Sequence, residues 1–261
     1  MKTRVLALSV LLVFFAPAVH GGKATSCPYT TLGSCPQIGC AKPNTPLAAT
    51  NTLKRTTAIN GSPAAIGFPD LQTLQNDVDS QFPVTVQGTS ISSPRNMTGA
   101  ARKIILSGLK TKSGKFSEGD YVELSGFIAS TKLPPHPNTG ESVNCGLKDP
   151  PSNDFHINIT PTKNSEEGKG VVVEMIPQDP HRKAGWDLNK LVAIQQKQLP
   201  VKIRGRLFFD NEHVPNPDGT VGSNPRRFSV FEIHPLETFL VCPSGSCSQA
   251  SDWKPLETWV P

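Results

Sequence analysis

Gly119-Asp120-Tyr121-Val122-Glu123-Leu124-Ser125-Gly126-Phe127-Ile128-Ala129 reads as a strand entered through a turn. Gly119-Asp120 makes the turn, and Val122, Leu124 and Ile128 share one side of a chain that alternates with a period of two. Four comparable runs follow. Residues 154–160 set Phe155, Ile157 and Ile159 against Asp154, His156 and Asn158. Residues 170–176 are mostly apolar until Pro177 stops them, and 201–210 set Val201, Ile203, Leu207 and Phe209 against Lys202, Arg204 and Arg206. Residues 226–241 form a long strand or bent pair interrupted at Pro235. Between the third and fourth runs, 186–198 carry Leu188, Leu191 and Val192 at helical spacing, with Pro200 just past the end.

Three strands, a helix and two strands is the layout of the OB-fold, a five-stranded Greek-key barrel with its helix between strands three and four. The expectation is therefore a mainly β protein with an OB-like barrel over 104–242 and a tail over 243–261. Before it, 19–103 read as an irregular, cysteine-pinned segment rich in Pro, Thr and Gly. There the spacing of Leu71, Leu74 and Val78 predicts one short helix over about 70–80, N-capped by Asp70. The phrase Glu118-Gly119-Asp120-Tyr121-Val122-Glu123-Leu124-Ser125-Gly126 resembles the opening of many OB-type domains. Gly140-Glu141-Ser142-Val143-Asn144-Cys145, Asp154-Phe155-His156-Ile157, Val173-Glu174-Met175-Ile176-Pro177, Gly205-Arg206-Leu207-Phe208-Phe209-Asp210-Asn211-Glu212-His213 and Phe231-Glu232-Ile233-His234-Pro235 are similar to phrases in a group of uncharacterised exported bacterial proteins with an OB-like domain. The resemblance covers about 118–242; it implies fold and export, and carries no established activity.

Composition agrees with a loop-rich β chain. The 25 prolines among 261 residues are about twice the ordinary share, which disfavours coiled coils and helix bundles. Lys2 and Arg4, the apolar run 5–16 and Ala16-Pro17-Ala18 read as a signal peptide over 1–18, cleaved after Ala18. The run is shorter than the ~20 residues of a membrane-spanning helix, and no later run is long and apolar enough. Cleavage removes two basic residues and lowers the formal charge from +5 to +3, unlike a dedicated nucleic-acid binder with its concentrated basic stripe. In an exported chain the six cysteines, Cys27, Cys35, Cys40, Cys145, Cys242 and Cys247, are expected to form disulfides. Zinc is the alternative for Cys27, Cys35 and Cys40, although no CxxC pair is present.

Connections 131–153 and 211–225 exceed ordinary hairpin loops and would flank the strand 2–3 face on which OB-folds bind oligonucleotides or oligosaccharides. The candidate ligand contacts are Asp154, His156, Glu174, Arg204, Arg206, Asp210, His213, Glu232 and His234. Lys202, Arg204 and Arg206, with Arg226 and Arg227, suit phosphates or an acidic glycan, while Tyr121, Phe127 and Phe208 make a thin stacking platform. His156, Glu174 and His234 fall on three adjacent strands of that fold and form a candidate zinc or manganese site. No GK[ST] phosphate loop, HExxH or GxSxG occurs, and no catalytic residue stands out. The expected function is an exported binding module for an oligosaccharide or single-stranded nucleic acid. The alternatives are a metal-dependent hydrolase and a structural envelope protein without ligand.

Overall fold

Each alternating run becomes a strand, and the strands close on themselves in a computed structural model that describes residues 27–57, 61–131, 135–213 and 227–261. The expected signal peptide, Pro134, Arg226 and most of the second long connection lie outside the described residues. The barrel strands are β1 (Tyr121–Ile128), β2 (Phe155–Thr160), β3 (Val171–Met175), β4 (Pro200–Phe209) and β5 (Phe231–Val241). Their order is β1-β4-β5-β3-β2, and β2 returns to β1 through Phe127↔Thr160 and Ile128↔Ile159. All pairs are antiparallel except β3 with β5, which run parallel with Ile233 beside Val173.

Alternation places Val122, Leu124, Ile157, Ile159, Val173, Ile203, Leu207, Phe209, Ile233 and Phe239 in one core. Pro235 does not divide β5. The strand continues through it, and the register slips beside it, where Gly205 of β4 pairs with Leu236. A Cβ on Gly205 would stand 2.5 Å from the Pro235 carbonyl oxygen, so only glycine lets the two backbones approach there.

Among the described residues five α-helices surround the barrel: α1 (Pro46–Lys54), α2 (Phe68–Ser80), α3 (Gly99–Ile105), α4 (Pro180–Ala184) and α5 (Leu188–Lys197). The expected helix near 70–80 is α2, but its cap is Gly67. Asp70 sits one turn inside and accepts from the Gly67 N–H at 2.9 Å. Helix α5 is capped by Asp187 and buries Leu191 and Ile194 in the link between β3 and β4.

The N-terminal segment is more ordered than its composition suggests, for α1 and α3 were not expected. Thr45 and Thr98 cap them, and Pro46 opens α1. The face that α1 buries is Ala48, Thr50, Asn51 and Lys54, which is largely polar and leaves little hydrophobic periodicity to read.

All six cysteines are paired, as Cys27–Cys40, Cys35–Cys145 and Cys242–Cys247, so the zinc alternative for the first three gives way to disulfides. Cys35–Cys145 staples the N-terminal segment to the β1–β2 connection across 110 residues. Beside it Gly39 has φ +58°, and a Cβ there would lie 2.0 Å from the Ser142 oxygen.

Thiol titration of the denatured, non-reduced protein should find almost no free cysteine. Replacing Cys35 and Cys145 together by serine should lower stability by about 2–4 kcal/mol in urea unfolding. Amide exchange should rise first in 27–57, with β1 to β5 still protected; loss of barrel protection at the same time would mean that the staple holds the whole fold.

Candidate functional site

Antiparallel pairing sets His156 of β2 opposite Glu174 of β3, and the parallel Ile233–Val173 pairing brings β5 alongside. His156, Glu174 and His234 thereby meet on the outer side of three adjacent strands. Glu174 stands between the two imidazoles, with Oε1 hydrogen-bonded to His156 Nδ1 at 3.0 Å and Oε2 3.2 Å from His234 Nδ1. Asp154, just before β2, places Oδ2 3.6 Å from His234 Nε2, and its Oδ1 accepts from Asn144 Nδ2 at 3.0 Å. Glu232 Oε2 lies 3.5 Å from His234 Nδ1, while Arg227 donates to its other oxygen. Asp210, at the end of β4, bonds His213 and stands 3.4 Å from Arg227 Nη1. Seven of the nine expected contacts thus fall into one ionic cluster.

This surface is covered. Every residue of β2 and β3 is buried, including the polar side chains that alternation turns away from the core. Lys54 of α1 reaches in from above, 3.9 Å from Glu141 and 5.9 Å over the Phe208 ring, which in turn tilts against His234 at 5.5 Å. His136, from the β1–β2 connection, stacks on His156 with ring centroids 5.6 Å apart. The strand 2–3 face expected to be an open ligand platform is therefore the floor of a sealed layer. Lys54, Glu141 and Asn144 complete that layer, and no periodic pattern marks them in the sequence.

Burial and pairing pull the charges in opposite directions. Desolvation acts to lower the Lys54 pKa, but Glu141, Glu174, Asp210 and Glu232 outweigh it and hold the ammonium well above its usual value. Burial pushes Asp154 up to about 6, and the neighbouring Glu174 adds to the rise. Burial would also raise Glu174, yet His234, the His156 hydrogen bond and Lys54 together lower it. Asp210 is held well below the usual carboxylate range by His213, Lys54 and Arg227, again against desolvation.

The remaining two expected contacts lie apart. Arg204 donates from Nε to Glu123 at 2.6 Å, which leaves it a paired residue of the barrel exterior. Arg206 borders a groove of about 850 Å³ between α1, α3 and the turn that enters β1. Ala49, Leu53 and Leu106 supply its apolar wall, with Lys103, Glu118 and Arg206 around them. Arg206 donates from Nη1 to the Gly119 carbonyl at 3.0 Å, and its buried Nε has no hydrogen-bond partner. Apart from Arg206, no sequence signal marked this groove, because two of its walls are the unexpected helices. Comparison with protein-family models, curated proteins and solved structures finds no match for the chain.

The Asp210–His213 pair carries a pH signature. Its hydrogen bond to Asp210 raises the His213 pKa above 6.5, against the opposing effect of burial. Its stabilisation is thus complete below the unfolded value of about 6.5 and is lost as pH rises through the higher folded value. His213→Gln should cost about 0.5–1 kcal/mol at pH 5–6, since the ring is partly exposed, and almost nothing at pH 9. Denaturant unfolding across that range checks this; a cost that stays constant with pH would place the role of His213 in packing.

Proposed function

We propose that this chain is an exported binding module on an OB-like Greek-key barrel, with its ligand seat in the groove beside Arg206. The barrel assignment is supported by strand order, since the first strand pairs with the second and fourth, the third runs parallel to the fifth, and α5 lies between the third and fourth. Export is supported by the apolar leader run and by three disulfides, which persist in oxidising compartments.

The observation that carries the reading is the groove itself. Its volume lies within the ~300–1,000 Å³ of ordinary ligand sites, and the cationic side chain of Arg206 lines it. The ligand class follows from the walls. Thr45, Thr52, Thr98, Ser107 and Ser117 surround the groove with hydroxyls, and Lys103 and Arg206 supply positive charge. Among the described residues its lining contains no aromatic side chain on which a base would stack. An acidic oligosaccharide fits these walls better than single-stranded nucleic acid. A metal-dependent hydrolase is the second reading, supported by the carboxylates and imidazoles around Glu174, and it requires that cluster to open to a substrate.

Calorimetric titration of the mature chain with uronic-acid oligosaccharides and, separately, with single-stranded DNA should show binding of the former only. Arg206→Gln should weaken binding by about tenfold, equivalent to ~1.4 kcal/mol, and Ala49→Trp should block it, both with an unchanged circular dichroism spectrum. Tight DNA binding without glycan binding, or an Arg206→Gln variant of unaltered affinity, would overturn the assignment.

A further inference from the structure

We propose that Asp154, Glu174 and His234 form a buried binding site for one divalent transition-metal ion. One donor atom from each of the three falls within 4.8 Å of the other two. Around a tetrahedral ion with bonds of about 2.0–2.2 Å, donor atoms stand roughly 3.3 Å apart. Glu174 Oε2 stands 3.2 Å from His234 Nδ1, close to that spacing, whereas Asp154 Oδ2 stands 3.6 Å from the other ring nitrogen, Nε2, so an ion held through one nitrogen of His234 would draw the second carboxylate in by a side-chain rotation.

The atoms that converge are the ones without hydrogen bonds. Asp154 Oδ2, Glu174 Oε2 and both ring nitrogens of His234 are buried and unpartnered, where such atoms are almost always bonded. Asp154, Glu174 and His234 are 1%, 2% and 1% exposed, so water does not serve them from the surface. Their other oxygens are already committed, Asp154 Oδ1 to Asn144 and Glu174 Oε1 to His156. Each carboxylate is thereby turned to present one free oxygen, as outer partners do around bound metals. His156 is then a positioning residue, and Asp154 takes the third corner that the strand pattern alone assigns to His156.

A protonated His234 held between two carboxylates is the competing arrangement. An imidazolium would direct an N–H at each carboxylate, and the placement of Glu174 at Nδ1 and Asp154 at Nε2 suits it, but neither contact closes as a hydrogen bond and the four buried atoms stay unsatisfied. Two carboxylates and one imidazole match the ligand preference of zinc or manganese, and Glu232 Oε2 stands near as a further oxygen. Such an ion would tie β2, β3 and β5 together beneath α1, independently of what the groove binds.

The test uses the full mature chain with its disulfides intact, stripped with a chelator and titrated with zinc and then manganese. One ion per chain should bind with a micromolar or lower Kd and raise the melting temperature. Asp154→Asn should weaken binding by at least a hundredfold, and His156→Gln by less, on the order of tenfold. If Asp154→Asn fails to fold, cobalt added to the unaltered chain should give a d–d absorption band that zinc displaces. Neither ion binding at up to about 0.1 mM, equal affinity in Asp154→Asn and His234→Gln, or no displaceable cobalt band would each overturn the site.

Discussion

Glu174 is a carboxylate with 2% of its surface exposed, on a strand whose neighbours Val173 and Met175 belong to the core. A charge taken this far out of water needs partners close by, because the desolvation cost is recovered only by well-placed opposite charge and hydrogen bonds. His156 from one adjacent strand and His234 from the other provide them. That demand links features that are otherwise separate. It matches the β2–β3 register, which sets His156 opposite Glu174, and the parallel β3–β5 contact, which brings His234 within reach. A slip of one residue in either pairing would turn the polar side chains into the barrel and strand the carboxylate.

The layer above Glu174 follows from the same constraint. An open polar face would meet water, but here α1 and the β1–β2 connection lie across it, so their buried side chains are polar too. Thr50 donates to Asn211 at 2.7 Å, Asn51 to the Ile38 carbonyl at 2.8 Å, and Lys54 answers the surplus of carboxylates. The Cys35–Cys145 disulfide holds this polar interface shut where hydrophobic burial is scarce. Helix α3 is anchored by similar means. Arg102 donates to Glu118 at 2.8 Å, to Asn211 at 2.8 Å and to the Phe209 carbonyl at 2.5 Å, fixing the helix to the end of β4.

This use of the N-terminal segment moves the accessible concavity. The β2–β3 face is spent on holding the cap, and the groove opens instead where α1 and α3 part over Gly119 and Arg206. The groove thus lies beside β4, on a wall that the barrel does not build alone. The ionic layer is structural in position and chemical in composition, and those two properties support the metal inference without an open cleft.

The sequence by itself determined the strands and which side chains share a face. Val122, Leu124, Ile157, Ile203 and Leu207 alternate with polar neighbours, and that local period survives any tertiary context. It also marked α2 and α5 through their apolar spacing, and carried the histidines and carboxylates of the site two apart on their strands. Only the tertiary structure decided that Asp154 rather than His156 completes the trio with Glu174 and His234, that Lys54 and Glu141 enter the cluster, and that α1 covers the face expected to bind ligand. The physical reason is range. Periodicity reports a residue's own element, whereas the partner of a buried charge is chosen by segments distant in the chain: Lys54 and Glu141, or Thr50 and Asn211, are brought together by packing and a disulfide, and leave no repeat in the sequence.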